Sequence, residues 1–230
     1  MRAVRRFWWM IVSLAVLIAA LVVFGRPASG DVPLADGPLK QKSIALLQRA
    51  GTPGVPIVIR PSDGRPCGSG TVTGLGSRMR IVMGAASLTI PRDQALWAIA
   101  HESQHVRTGD PLLGVVSGWL WITLALALAS ETTRAAVLRR GRVGWIALPL
   151  TLVAIWAVGL PVFNLIQRQR ERGADHAAAA LVGGAPGATF LAREGACLGI
   201  ESEPDLFTRL FLLNHPTTAE RLRSMRATPR

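Results

Sequence analysis

The sequence predicts an α-helical multi-pass membrane protein of about three spans, carrying an α+β domain outside the bilayer. Three observations predict it. Half of the residues are hydrophobic. The apolar residues gather into charge-free blocks at 7–24, 111–130 and 143–166, each near the ~20 residues that cross a hydrocarbon core. Between the first two blocks lie β-branched runs bounded by proline and glycine.

The elements follow in order. "MRAVRR" is a short basic N-terminus expected in the cytoplasm, and block 7–24 behind it has the layout of a signal anchor. The following "PASG" holds no clean A-x-A site, which favours an uncleaved anchor over a cleaved signal peptide. Residues 25–54 combine a linker rich in proline, glycine and aspartate with a short amphipathic helix. Ile44, Leu46 and Leu47 mark that helix's apolar side and Gly51 its end. Residues 55–110 form the first part of the domain: a strand at 55–59, a turn at Asp63–Gly64, a second strand at 79–83, then a helix. Pro91 and Asp93 suit that helix's first turn, Leu96, Trp97, Ile99 and Ala100 its buried side, and Gly109 its stop. The glycines of "GSGTVTGLG" lack the GK[ST] ending of a phosphate loop and read as a turn-rich connection. Spans at 111–130 and 143–166 flank a basic loop at 131–142. Residues 167–230 then hold a soluble helix ending at the Gly183–Gly184 pair and a polar helical tail interrupted by "NHPTT".

A net charge of +12 would suggest nucleic acid in a soluble chain. Here the basic residues are almost all arginine, Lys40 and Lys42 being the lysines, as a GC-rich bacterial genome produces. They cluster at the ends of the apolar blocks without interleaved aromatics, so the expected partner is the lipid bilayer and no nucleic acid. Cys67 and Cys197 stand apart with no CxxC spacing, which excludes a cysteine zinc site. They either pair in an oxidising compartment or stay single.

The chemistry sits in "LWAIAHESQHVRTGD". His101 and His105 are one helical turn apart on nearly one face, so both imidazoles can reach one Zn2+ ion. Glu102 is rotated off that face and free to take a proton from a metal-bound water. This is the HExxH arrangement of metallopeptidases, where the metal activates water and polarises the scissile carbonyl. Thr108 and Pro111 stand where the metzincin pattern needs glycine and histidine, so a third ligand must come from a later helix. Glu171 is the candidate, with Asp175 one turn on, placed to orient a ligand histidine from behind. His215 has two readings, donor to the oxyanion of the reaction or cap of the "NHPTT" turn. His176 faces away from Glu171 and reads as structural.

The ordered set "AHESQHVRTGD", a two-span hairpin, "RQRERGADHAAAALVG" and "NHPTTAERLRSM" resembles the HtpX and CAAX-prenyl-protease group of membrane zinc metallopeptidases. The resemblance rests on His101, Glu102, His105, Gly109, Asp110, Glu171, Asp175, His215, Pro216, Glu220 and Arg221, and covers roughly residues 55–226. It implies a zincin-like domain binding one Zn2+ through His101, His105 and Glu171, with Glu102 as general base and Asp175 in support. It also implies that "RMRIVMGAASL" is the strand beside the catalytic helix that pairs with extended substrate. The chain departs from the group in having one span before HExxH where HtpX-type members have two. The implied function is endoproteolysis of misfolded, membrane or envelope proteins in quality control; the alternative is an HExxH membrane sensor or scaffold without turnover. Arg2, Arg5, Arg6 and the arginines of the hairpin loop favour an extracytoplasmic site in a bacterial cell membrane, whereas Arg168, Arg170 and Arg172 favour a cytoplasmic one.

Overall fold

The structure, a computed structural model, describes residues 13–23, 30–61, 67–68, 70–199 and 204–226. The N-terminus 1–6, residues 7–12 and 24 of the first expected span, and the Asp63–Gly64 turn lie outside them. The first helix, α1 (Ser13–Val23), is short and apolar. A four-stranded sheet follows: β1 (Val32–Pro33), β2 (Ile57–Arg60), β3 (Gly70–Thr73) and β4 (Arg80–Gly84), in the order β1-β2-β4-β3. β4 runs parallel to β2 and antiparallel to β3. Being paired on both edges, β4 offers no free edge, which corrects the expectation that "RMRIVMGAASL" receives substrate. The outer strands of the sheet are β1 and β3, the latter within the glycine-rich stretch that reads as a loop. β1 falls within the expected linker, a two-residue strand too short to show a period of two.

Helix α2 (Pro38–Arg49) starts inside that linker too, with proline in its first turn. Leu46 and Leu47 of α2, Ile81 and Met83 of β4, and Trp97, Ile99 and Ala100 of α3 (Arg92–Thr108) share one buried cluster. This core seats the HExxH helix against the sheet.

Among the described residues, two helices are long and apolar enough to cross a membrane, within Asp110–Arg140 and Val143–Val182, with mean hydropathy 2.1 and 2.2 and little buried surface. They are α4 (Asp110–Arg140) and α5 (Ala147–Val182), joined by a tight turn over Gly141–Ile146. The expected loop 131–142 is thus helical to Arg140, because "ETTRAAVLRR" is rich in helix formers and meets its first breaker at Gly141. Nor does anything interrupt the chain at 167: the span and the soluble helix after it form one helix through Pro161. At 36 residues, α5 is about 54 Å long against about 30 Å of hydrocarbon, so it stands well clear of the bilayer. Ala125, Ala129 and Thr133 make a buried stripe of small residues on α4, and a Cβ on Gly159 of α5 would strike the Trp121 ring. Close approach of this kind is how membrane helices associate, since lipid supplies no hydrophobic drive between them. Trp119 of α4 donates its indole N–H to the Ser13 carbonyl, and Thr123 shares a hydroxyl hydrogen bond with Ser13, which seats α1 on α4.

Beyond the hairpin, α6 (Gly184–Leu198) packs Phe190 on Trp97 and reaches α7 (Thr218–Arg226). Cys67 and Cys197 form a disulfide across a sequence separation of 130, which resolves the two open readings of these cysteines. It ties the segment leading into β3 to the end of α6, and so joins the two halves of the domain that the hairpin separates in sequence.

Candidate metal centre

His101 and His105 project from α3 and Glu171 from α5, the pair of helices in most extensive contact in the fold. One ligand atom from each lies within 4.8 Å of the others. The two imidazole Nε2 atoms are 3.2 Å apart. Glu171 Oε2 is 3.4 Å from His101 Nε2, and Glu171 Oε1 is 3.5 Å from His105 Nε2. Donors at the usual zinc bond lengths around a tetrahedral ion stand about 3.3–3.6 Å apart, so the triangle has the size zinc requires.

The backs of both rings explain why the Nε2 atoms converge. His101 Nδ1 is 3.0 Å from Asp175 Oδ1, and His105 Nδ1 is 2.7 Å from Asp110 Oδ2. A carboxylate accepts only, so His105 Nδ1 donates to Asp110, and the Asp175 carboxylate close behind His101 favours the same tautomer there, leaving each Nε2 a lone pair. Two lone pairs and a carboxylate facing one another call for a cation, and the donor set therefore fits zinc. Electrostatics agrees. Burial opposes charge on His101, but hydrogen bonds to Asp175 and Glu171 outweigh it and raise its pKa to about 9. Burial likewise opposes charge on Glu171, yet hydrogen bonds from His101 and His215 hold the carboxyl far below its ordinary range.

The supporting carboxylates are themselves held. Asp175 is fully buried and receives two hydrogen bonds from Arg221 of α7, at 2.8 and 2.6 Å. Asp110 owes its place to Gly109, whose left-handed conformation (φ 67°) ends α3 and starts α4 at the next residue. Glu220, beside Arg221, accepts from the Thr217 N–H while Thr217 Oγ1 accepts from the Glu220 N–H. That reciprocal pair caps α7 and aims Arg221 at Asp175. The roles of Asp110, Glu220 and Arg221 are what residue-level reading missed, though the positions stood among the matched motifs.

Glu102 lies beside the triangle, its carboxyl raised in pKa by burial. β3 starts directly on it: a Cβ on Gly70 would sit 2.9 Å from Glu102 Cγ and 3.0 Å from Oε1. Gly70→Ala is expected to leave zinc content and folding intact while lowering kcat by roughly 10²-fold, the cost of misplacing a catalytic group by about 1 Å. Peptidase assay beside metal analysis checks it. His215 Nδ1 lies 3.3 Å from Glu171 Oε2 with the side chain 59% exposed, so it faces the site, while Thr217 and Glu220 cap the neighbouring helix. His176 is exposed on α5, off the site as expected. Glu194 of α6 was not singled out from the sequence; burial raises its pKa in the field of Arg221, His101 and His215.

An HExxH helix, a glutamate from a later helix and carboxylates behind both histidines are the donor pattern of gluzincin-type zinc metallopeptidases. Comparison with known families agrees: residues 36–228 match peptidase family M48, and the chain belongs to that family. Among solved structures, the crystal structure of S. mikatae Ste24p is similar, with a TM-score of 0.74 and 20% sequence identity over 95% of this chain. The chain spans 57% of the length of that protein. Among curated proteins nothing matches.

Proposed function

We propose that the chain is a membrane-bound zinc-dependent endopeptidase that hydrolyses peptide bonds of membrane or envelope proteins, in a quality-control role. The observation that carries this is the His101–His105–Glu171 triangle with Glu102 buried beside it. When bound, zinc supplies the Lewis acidity that lowers the pKa of a water and polarises a carbonyl. The protein's own groups do the rest. Glu102, with its basicity raised by burial, accepts the water proton and returns it to the departing amine. His215, exposed at the mouth of the site, is placed to donate to the oxygen that becomes negative. The open edge of β3 can take an extended polypeptide as an added strand, through backbone hydrogen bonds. Purified protein in lipid nanodiscs should cleave unfolded casein, lose the activity to a zinc chelator and regain it with added zinc. Bound zinc without any cleavage would move the reading to a sensor or scaffold.

The catalytic side is proposed to face the periplasm or cell exterior of a bacterium. The positive-inside rule applied to the N-terminus and the 131–142 segment supports this. So does the disulfide, since such bonds persist in oxidising compartments. An alkaline phosphatase fusion after Arg60 should be active and one at Ala136 inactive; the reverse pattern places the site in the cytoplasm.

A further inference from the structure

The segment between α6 and α7 carries an apolar surface that the metal centre does not use. Residues 208–212 form a π-helical turn, and Leu206, Phe207 and Leu212 are 69%, 62% and 65% exposed. Phe207 stacks on Phe211. The charges nearby are consumed locally. Asp205 accepts from the Phe207 and Thr208 N–H groups and from the Thr208 hydroxyl, and Arg209 pairs with Glu220.

What fixes the height of this turn is α5. Asn164 Nδ2 donates to the Leu210 carbonyl at 2.9 Å, and Arg168 donates to the Arg209 carbonyl. Both side chains are buried. Asn164 lies inside the charge-free block 143–166, where a polar side chain needs a reason, and satisfying the Leu210 carbonyl of the turn at membrane depth is one. The helical turn that holds the segment also carries Leu165 and Ile166, both half exposed and part of the lipid-facing surface of the span. The apolar face of the turn therefore lies at the height of that surface along α5.

We propose that residues 206–212 are a membrane-seated turn, with Leu206, Phe207 and Leu212 embedded at the headgroup and acyl-chain boundary of the bilayer. The occupant of this face is lipid, because the face sits at the level where the span ends and, among the described residues, Arg209 is paired with Glu220 and Asp205 is held by the turn's own N–H groups. His215 follows three residues after Leu212, and Glu171 is about 10 Å along α5 from Asn164, so the site opens close to the lipid surface.

The inference rests on the reading of α5 as a span, and the experiment separates the two. Nitroxide labels are placed singly on Leu206→Cys, Phe207→Cys, Leu212→Cys, Leu165→Cys and Arg193→Cys of the full chain. The protein is reconstituted in vesicles of phosphatidylcholine and phosphatidylglycerol. Collision with oxygen, which partitions into lipid, is compared with collision with a water-soluble nickel chelate. Labels at 206, 207 and 212 are expected to behave like the label at 165, with high oxygen and low nickel access, while the label at 193 shows the reverse. Nickel access at 206, 207 and 212 with residue 165 still in lipid overturns the proposal alone. Shielding from both reagents overturns it in favour of a protein partner or second copy. Nickel access at 165 overturns the span along with it.

Discussion

Glu171→Gln should purify with little bound zinc and no activity, whereas Glu102→Gln should keep its zinc and lose turnover by 10²–10⁴-fold, the usual worth of a general base. The two glutamates differ in what they face. Glu171 presents one oxygen to each histidine nitrogen and its carboxylate is held ionised, so an amide there removes a negative donor from a site built around a cation. Glu102 stands outside the triangle, and an amide there fills its space but takes up no proton. Metal analysis with casein cleavage reads both quantities on the same preparation. Full zinc and activity in Glu171→Gln would break the ligand assignment, and loss of zinc in Glu102→Gln would mean that this residue supports the metal.

The second large effect is expected at Arg221. Removing it by Arg221→Ala leaves the Asp175 carboxylate buried with its two strongest hydrogen bonds gone. An uncompensated buried charge costs about 3–5 kcal/mol. The loss should therefore appear as a large drop in thermal midpoint, read by scanning fluorimetry in nanodiscs. Asp175→Ala strands Arg221 instead, but that side chain keeps 11% exposure and the field of Glu171 and Glu194. That variant should unfold at a higher temperature than Arg221→Ala while losing about 10–100-fold in zinc affinity, because His101 is no longer oriented from behind. Equal stability of the two variants would show that the Asp175 charge is relieved some other way.

The sequence disclosed what is local and concealed what is distant. His101, Glu102 and His105 are legible because one helical turn brings them together, and the spacing of four states it. Glu171 and Asp175 are legible because a helix repeats the same spacing. Arg221 touches Asp175 across 46 residues, and no periodicity encodes that meeting. The disulfide is hidden for the same reason. β3 is misread because Gly70 is there to admit Glu102, and a glycine kept for close approach looks the same in sequence as one kept for a turn. The helix of the basic segment, and the union of span and soluble helix in α5, are lost to hydropathy alone. Apolar character ends at the membrane surface, but helical propensity does not.

That union has a consequence for bilayer mechanics. His105 is joined to α4 through Gly109 and through its hydrogen bond to Asp110, and Glu171 stands on the same unbroken helix as the second apolar stretch, so the zinc donors hang from both arms of the hairpin. Glu171 lies about 24 Å beyond the middle of the apolar block at 1.5 Å per residue. A change of about 5° in the angle between the arms therefore shifts it by about 2 Å, comparable to a zinc–ligand bond. Membrane thickness sets helix tilt. With α4 and α5 as spans, lipid chain length is expected to change zinc affinity without touching any residue of the site, which metal titration in nanodiscs of short- and long-chain lipid checks.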